Sequence, residues 1–253
     1  MLGSGSASAS TRDRRWKTIE SEHFYIHYYA GQEEAAARAA MHLERAYERL
    51  TLSYAHEPFL RTHVTMVDTT DSANGSATVV PFGRINGYVT APGSMSVLES
   101  YDDWTDILMT HEYVHVVHLD TVHGLPRLVN ALLGFGVLGK VWSPNIVQPR
   151  WIVEGLATYE ESHLGSQGRR RSAQFNNMLR MHVLEQGFLS IERVSNGANI
   201  FPYGTVVYLY GLHLIHYIAS RYGHDKLREL SHVFGGQVIP YGINRALKKV
   251  IGI

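Results

Sequence analysis

The chain has 253 residues, of which 45% are hydrophobic and 18% charged, with a formal net charge of zero. That is the make-up of a globular protein with one large domain or two close-packed lobes, and it supplies no overall field to draw nucleic acid or an anionic membrane. Cysteine is absent, which excludes disulfides and thiolate metal sites and leaves histidine and carboxylate to hold any metal.

The opening M-L-G-S-G-S-A-S-A-S is small and polar, so residues 1–15 are expected to be a disordered tail without the apolar stretch of a signal peptide. His23 to Tyr29 alternates and is rich in β-formers. This predicts a strand with Phe24, Ile26 and Tyr28 on one face. From Gln32 to about Ser53, Ala36, Ala40, Leu43, Tyr47 and Leu50 recur at helical spacing, the mark of an amphipathic helix. His63 to Asp68 reads as a second strand. Asp71 to Ser76 is turn chemistry centred on Asn74-Gly75. Further strands are expected over Ala77 to Pro81 and Arg84 to Ala91, the latter ended by Pro92-Gly93.

Asp102 or Asp103 can cap a helix running from Trp104 to about Leu119. Leu128 to Val141 is the most apolar stretch, yet too short and too glycine-interrupted to span a bilayer. It reads as a buried or lid-like segment. Helices follow over Pro149 to Ser162, Ala173 to Gln186, Gly204 to Arg221 and Asp225 to Phe234, and another begins at Ile243. Arg169-Arg170-Arg171, beside Gly165 and Gly168, reads as a solvated loop. The fold class is therefore α+β: an N-terminal α/β lobe, residues 16–119, and a helical C-terminal lobe, residues 120–253.

His111-Glu112-Tyr113-Val114-His115 fits H-E-x-x-H. On a helix, residues four apart share a face, and two imidazoles so placed can bind one tetrahedral Zn²⁺. Glu112 flanks the metal position and can act as general base on a metal-activated water. Trp104, Ile107, Leu108, His111, His115 and His118 fall on one face, which turns the histidines toward the core. The competing reading is a buried helix with satisfied histidines.

A catalytic zinc needs a third protein ligand. The longer pattern H-E-x-x-H-x-x-G-x-x-H fails, because His118 and Thr121 stand where it needs Gly and His. His118, one turn beyond His115, is read as a core residue or one that braces a ligand, rather than as a ligand itself. Glu154, in W-I-V-E-G-L-A-T-Y, is the third-ligand candidate, with Gly155 and Ala157 small enough for close approach to the His-bearing helix. Glu160 and Glu161 are expected to be exposed or structural.

H-E-Y-V-H followed by W-I-V-E-G-L-A-T-Y resembles the gluzincin zinc metallopeptidases, and within them the peptidase MA-like branch with its W-x-x-E-G-x-A-x-Y motif. Asp68 to Gly75 (D-x-x-D-x-A-N-G) and Asp102-Asp103-Trp104 also fit. The resemblance runs from about Trp16 to Leu247. It implies a thermolysin-like zincin fold with the active-site helix between the two lobes. It also implies one Zn²⁺ per chain on His111, His115 and Glu154, and a peptide or protein substrate with no nucleic-acid partner. Bacterial members often precede a TolB-like β-propeller, so a C-terminal propeller beyond Ile253 and a periplasmic or extracellular location are further expectations. The chain departs from thermolysin and aminopeptidase N in the longer spacing between His115 and Glu154, filled by Leu128 to Val141.

By the same resemblance, Tyr208 in Tyr208-Leu209-Tyr210-Gly211 takes the place of the oxyanion-stabilising tyrosine of Y-E-K-G, with Tyr203 and Tyr210 as alternatives and a core tyrosine as the competing reading. Asn86-Gly87-Tyr88-Val89-Thr90 stands where aminopeptidases carry G-A-M-E-N but lacks its Glu, so an aminopeptidase mode is not expected. The strand ending near Thr90 is expected to align the substrate along an edge. The rival functions are a zinc-binding but inactive docking module for a propeller and a metal-free helical interaction domain.

Overall fold

The computed structural model describes residues 15–93, 96, 98, 101–134, 139–196, 199–239 and 242–253. The expected tail lies outside these residues but for Arg15, as does the centre of the 128–141 segment.

Five strands form a mixed sheet in the order β1-β2-β3-β5-β4: β1 (Trp16–Glu20), β2 (Phe24–Tyr29), β3 (Thr62–Val67), β4 (Gly75–Thr78) and β5 (Arg84–Tyr88). The inner strands β2, β3 and β5 run parallel, while β1 and β4 are antiparallel edges. Phe24, Ile26 and Tyr28 are buried on one face, as the alternation predicts. Helix α1 (Glu33–Tyr54) makes the β2-to-β3 crossover and buries Ala36, Leu43 and Leu50 against the sheet.

Strand β1 goes unread in the sequence because W-K-T-I-E has no buried face: four of its five residues are exposed. Pairing with β2 creates it, not apolar periodicity. Another difference concerns the edge. β5 lies between β3 and β4, so β4 is the open edge and the strand ending near Thr90 is not.

Helix α2 (Trp104–Asp120) carries the H-E-x-x-H motif. Asp103 caps it, its side chain accepting from Thr105 N at 3.0 Å and Asp106 N at 3.3 Å. The same carboxylate receives Arg38 Nη2 at 2.8 Å and His42 Nε2 at 3.0 Å, tying α2 to α1. The helix is buried all round rather than on one face. Met109, Tyr113 and Val116 pack against the α1 and sheet side, opposite the paired histidines.

The helical half comprises α3 (Gly124–Val129), α4 (Arg150–His163), α5 (Ala173–Leu184), α6 (Ile191–Asn196), α7 (Val206–Tyr222), α8 (Asp225–Gly235) and α9 (Ile243–Ile251). One apolar core runs from Phe24 through α2 to Leu227. The described residues of the 128–141 segment are neither the buried nor the lid-like element expected. Leu128, Leu132 and Leu133 are more than half exposed around a π-helical turn at Asn130–Gly134, and none of its described residues lines the cleft below. Among the described residues no helix is long and apolar enough to cross a membrane.

Replacing Asp103 removes both the cap and the link to α1. Asp103→Ala is expected to cost about 1–2 kcal/mol in urea unfolding, and Asp103→Asn, which keeps a capping oxygen, to cost less.

Candidate metal centre and active site

His111 and His115, one turn apart on α2, sit with ring centroids 4.9 Å apart and planes at 89°. Glu154 enters from α4. Its Oε2 lies 3.6 Å from His111 Nε2 and 3.4 Å from His115 Nε2. The edge of a tetrahedron of zinc ligands at 2.0–2.1 Å is ~3.3 Å, so both carboxylate–imidazole spacings are already near it, and one ligand atom from each of the three residues lies within 4.8 Å of the others. His111, His115 and Glu154 thus form a largely buried cluster able to hold a metal ion.

Backbone contact between helices sets this convergence. A Cβ on Gly155 would lie 2.6 Å from Gly211 C and 2.7 Å from Gly211 O on α7. The glycine pair lets α4 and α7 touch main chain to main chain. Gly155 therefore serves the crossing with α7, not the approach to α2 expected from the sequence. Gly75 is a second close approach: a Cβ there would fall 2.6 Å from Glu112 Oε1, so β4 closes directly over that carboxylate.

Glu161 is buried, which excludes the exposed reading and leaves the structural one, and its link to His111 is what sequence reading missed. It lies seven residues after Glu154, on the same face of α4, and its Oε2 is 3.0 Å from His111 Nδ1. The signal was available in that i, i+7 spacing. Arg169, expected in a solvated loop, turns inward. Its Nη2 donates to Glu161 Oε2 at 2.8 Å and its Nε to Oε1 at 2.9 Å. Arg169 Nη2 also stands 3.0 Å from His111 Nδ1. The guanidinium, which only donates, keeps Glu161 an acceptor, so Glu161 can take a hydrogen bond from His111 Nδ1, the arrangement that would leave Nε2 to a metal. Such carboxylate–histidine pairs orient metal ligands in many proteins.

The electrostatics agree. Burial disfavours charge on His111, but Glu154 and Glu161 outweigh it and raise its pKa to about 9. Burial likewise opposes the Glu154 charge, yet His111 and His115 hold that carboxyl well below its usual range. The cluster is organised around positive charge. Burial would raise Glu161, but Arg169 and His111 draw it down to about 2. Glu112 is pushed up by burial, and its Oε2 is buried without a partner.

The site opens on a cleft of about 440 Å³ lined by Gly75, Leu108, His111, Glu112, His115, Arg150, Glu154 and Tyr208 among others. Of the three tyrosines, Tyr208 lines this cleft, under the Arg169 guanidinium at 4.8 Å. Burial raises its pKa to about 12. Tyr210 faces away, its hydroxyl bonded to His182 Nδ1 at 2.8 Å and to Leu189 N at 3.2 Å. Tyr203 is exposed and lies outside the lining. His118 is a satisfied core residue, as expected, between Ser231 Oγ at 2.7 Å and Gln148 Oε1 at 3.0 Å. Burial lowers its pKa to about 3.

No protein-family model matches the chain, and no curated protein does. Among solved structures, an aminopeptidase N family protein from Idiomarina loihiensis is similar at 13% identity and a TM-score of 0.47, over 95% of this chain and 45% of that one. The chain thus spans less than half the length of that protein, and likeness at this level does not assign it to a family.

Adding a methyl at the α4–α7 crossing forces the helices apart. Gly155→Ala is expected to cost about 1–3 kcal/mol in urea unfolding and, by moving Glu154, to weaken metal binding in a zinc titration.

Proposed function

We propose that the chain is a zinc-dependent peptidase of the gluzincin kind, with the peptidase MA-like branch as its nearest class and a thermolysin-like arrangement of lobes. The observation that carries this reading is the approach of Glu154 Oε2 to both His111 Nε2 and His115 Nε2, with Glu112 alongside in an open cleft.

His111, His115 and Glu154 would hold one zinc. Once bound, the ion supplies a Lewis acid and lowers the pKa of water toward neutral. Glu161 accepts the His111 Nδ1 proton, backed by Arg169, and so keeps Nε2 available as a ligand. Glu112 accepts the proton of the attacking water and returns it to the leaving amine. Its buried carboxylate, raised by desolvation, is suited to that exchange. Tyr208 donates its hydroxyl proton in a hydrogen bond to the developing oxyanion. The β4 edge, which closes over Glu112 at Gly75, aligns an extended peptide by main-chain hydrogen bonds.

The test separates binding from chemistry. Glu112→Gln is expected to retain zinc while turnover of a peptide library falls by orders of magnitude. Glu154→Ala should lose both. Unchanged cleavage by Glu112→Gln would refute the base, and retained affinity in Glu154→Ala the ligand set. If the intact, zinc-loaded chain cleaves nothing, the docking-module function replaces this one.

Tyr208→Phe removes only the donor. It is expected to lower kcat by about 10²-fold or more, with little change in zinc affinity. The check is steady-state kinetics beside a metal titration.

A further inference from the structure

Glu160, His163 and His224 gather on another side of α4. We propose that they form a second divalent-cation site, separate from the cluster at His111. One ligand atom from each lies within 4.8 Å of the other two. Glu160 and His163 are three residues apart on α4 and so share a face, while His224 immediately precedes α8. Six residues separate Glu154 from Glu160, a rotation of about 240° round the helix. The two clusters have no residue in common.

The carboxylate gives the argument its weight. Glu160 is fully buried, and its Oε1 receives Tyr54 Oη at 3.0 Å and His224 Nε2 at 2.9 Å. Its Oε2 is sealed from water with no hydrogen-bond partner. Leaving a charged oxygen so placed is costly, and a cation shared with the two imidazoles would satisfy it. His163 supplies access. It is exposed, its ring stacked on His224 at 4.6 Å and on Tyr159 at 5.3 Å. Burial together with the charges of His224, Arg170 and Arg171 outweighs Glu160 and holds the His163 pKa below its usual value.

Two imidazoles and one carboxylate suit zinc, cobalt or nickel. They do not suit calcium or magnesium, which take oxygen-rich shells. Glu160 Oε1 and His224 Nε2 already stand 2.9 Å apart and all three ligand atoms lie within 4.8 Å of one another, so reaching the ~3.3 Å edge of a zinc tetrahedron calls for adjustment mainly of the exposed His163 ring. The cation would take the place of the proton between His224 and Glu160. It would fasten α4 to the start of α8 and, through Tyr54, to the end of α1. This makes it a structural clamp rather than a catalytic centre.

Equilibrium dialysis of the full chain against zinc chloride tests this, with circular dichroism confirming that each variant is folded. The wild type is expected to bind two zinc ions and His163→Ala one. The His111→Ala/His115→Ala protein should bind one, and its triple variant with His163→Ala none. The melting temperature of the double variant should rise with zinc, and His163→Ala should abolish the rise. An unchanged count in His163→Ala, or no binding by a folded double variant, would overturn the proposal. Failure of the first site instead leaves wild type and double variant with equal counts, so the two readings fail distinguishably. If the double variant does not fold, the wild type against His163→Ala still decides.

Discussion

The candidate site depends on one constraint, the close seating of α4 between α2 and α7. Two glycines, Gly155 and Gly211, bring α4 and α7 into backbone contact. A neighbouring face of α4, about 100–120° round the helix from Gly155, then delivers two carboxylates seven residues apart, Glu154 and Glu161, to one histidine of α2. Glu161 is fully buried and Glu154 largely so, and the imidazoles and Arg169 that meet them offset the cost of that burial. Packing and charge fix each other: the glycines set the distance, and the ion pairs make that distance affordable.

Tyr208 belongs to the same arrangement. It lies three residues, less than one turn, before Gly211, so the crossing that positions Glu154 also brings this ring into the cleft. Arg169 links the two by packing over the Tyr208 ring while holding Glu161. Within the gap between His115 and Glu154, the described residues of the apolar 128–141 segment lie outside the cleft lining.

Most of the helices and inner strands were legible in the sequence because their apolar spacing reflects burial. Phe24, Ile26 and Tyr28, or Ala36, Leu43 and Leu50, carry the signal directly. The edge strand β1 was not, since its order comes from a neighbour and not from its own side chains. His111, Glu112 and His115 stand out by motif, and the structure brings Glu154 to the two histidines. Arg169 was misread as solvated, and the part Glu161 plays beside His111 went unread, because polarity alone says surface. A buried ion pair is invisible until both partners are placed, although the seven-residue spacing to Glu154 was a usable hint. The edge assignment failed for a topological reason: which strand is outermost is set by pairing order, and no single strand's composition reports it.

The four-residue length of β4 carries a further implication. A strand so short, with glycine at the point nearest Glu112, offers an incoming chain main-chain partners but few side chains to select by. A peptidase with this border would favour segments whose amides and carbonyls are unspoken for, such as loops, termini and unfolded stretches. A folded protein, whose own sheets have claimed those groups, would be spared whatever its sequence. Conformational availability, more than residue identity, would then decide what is cut.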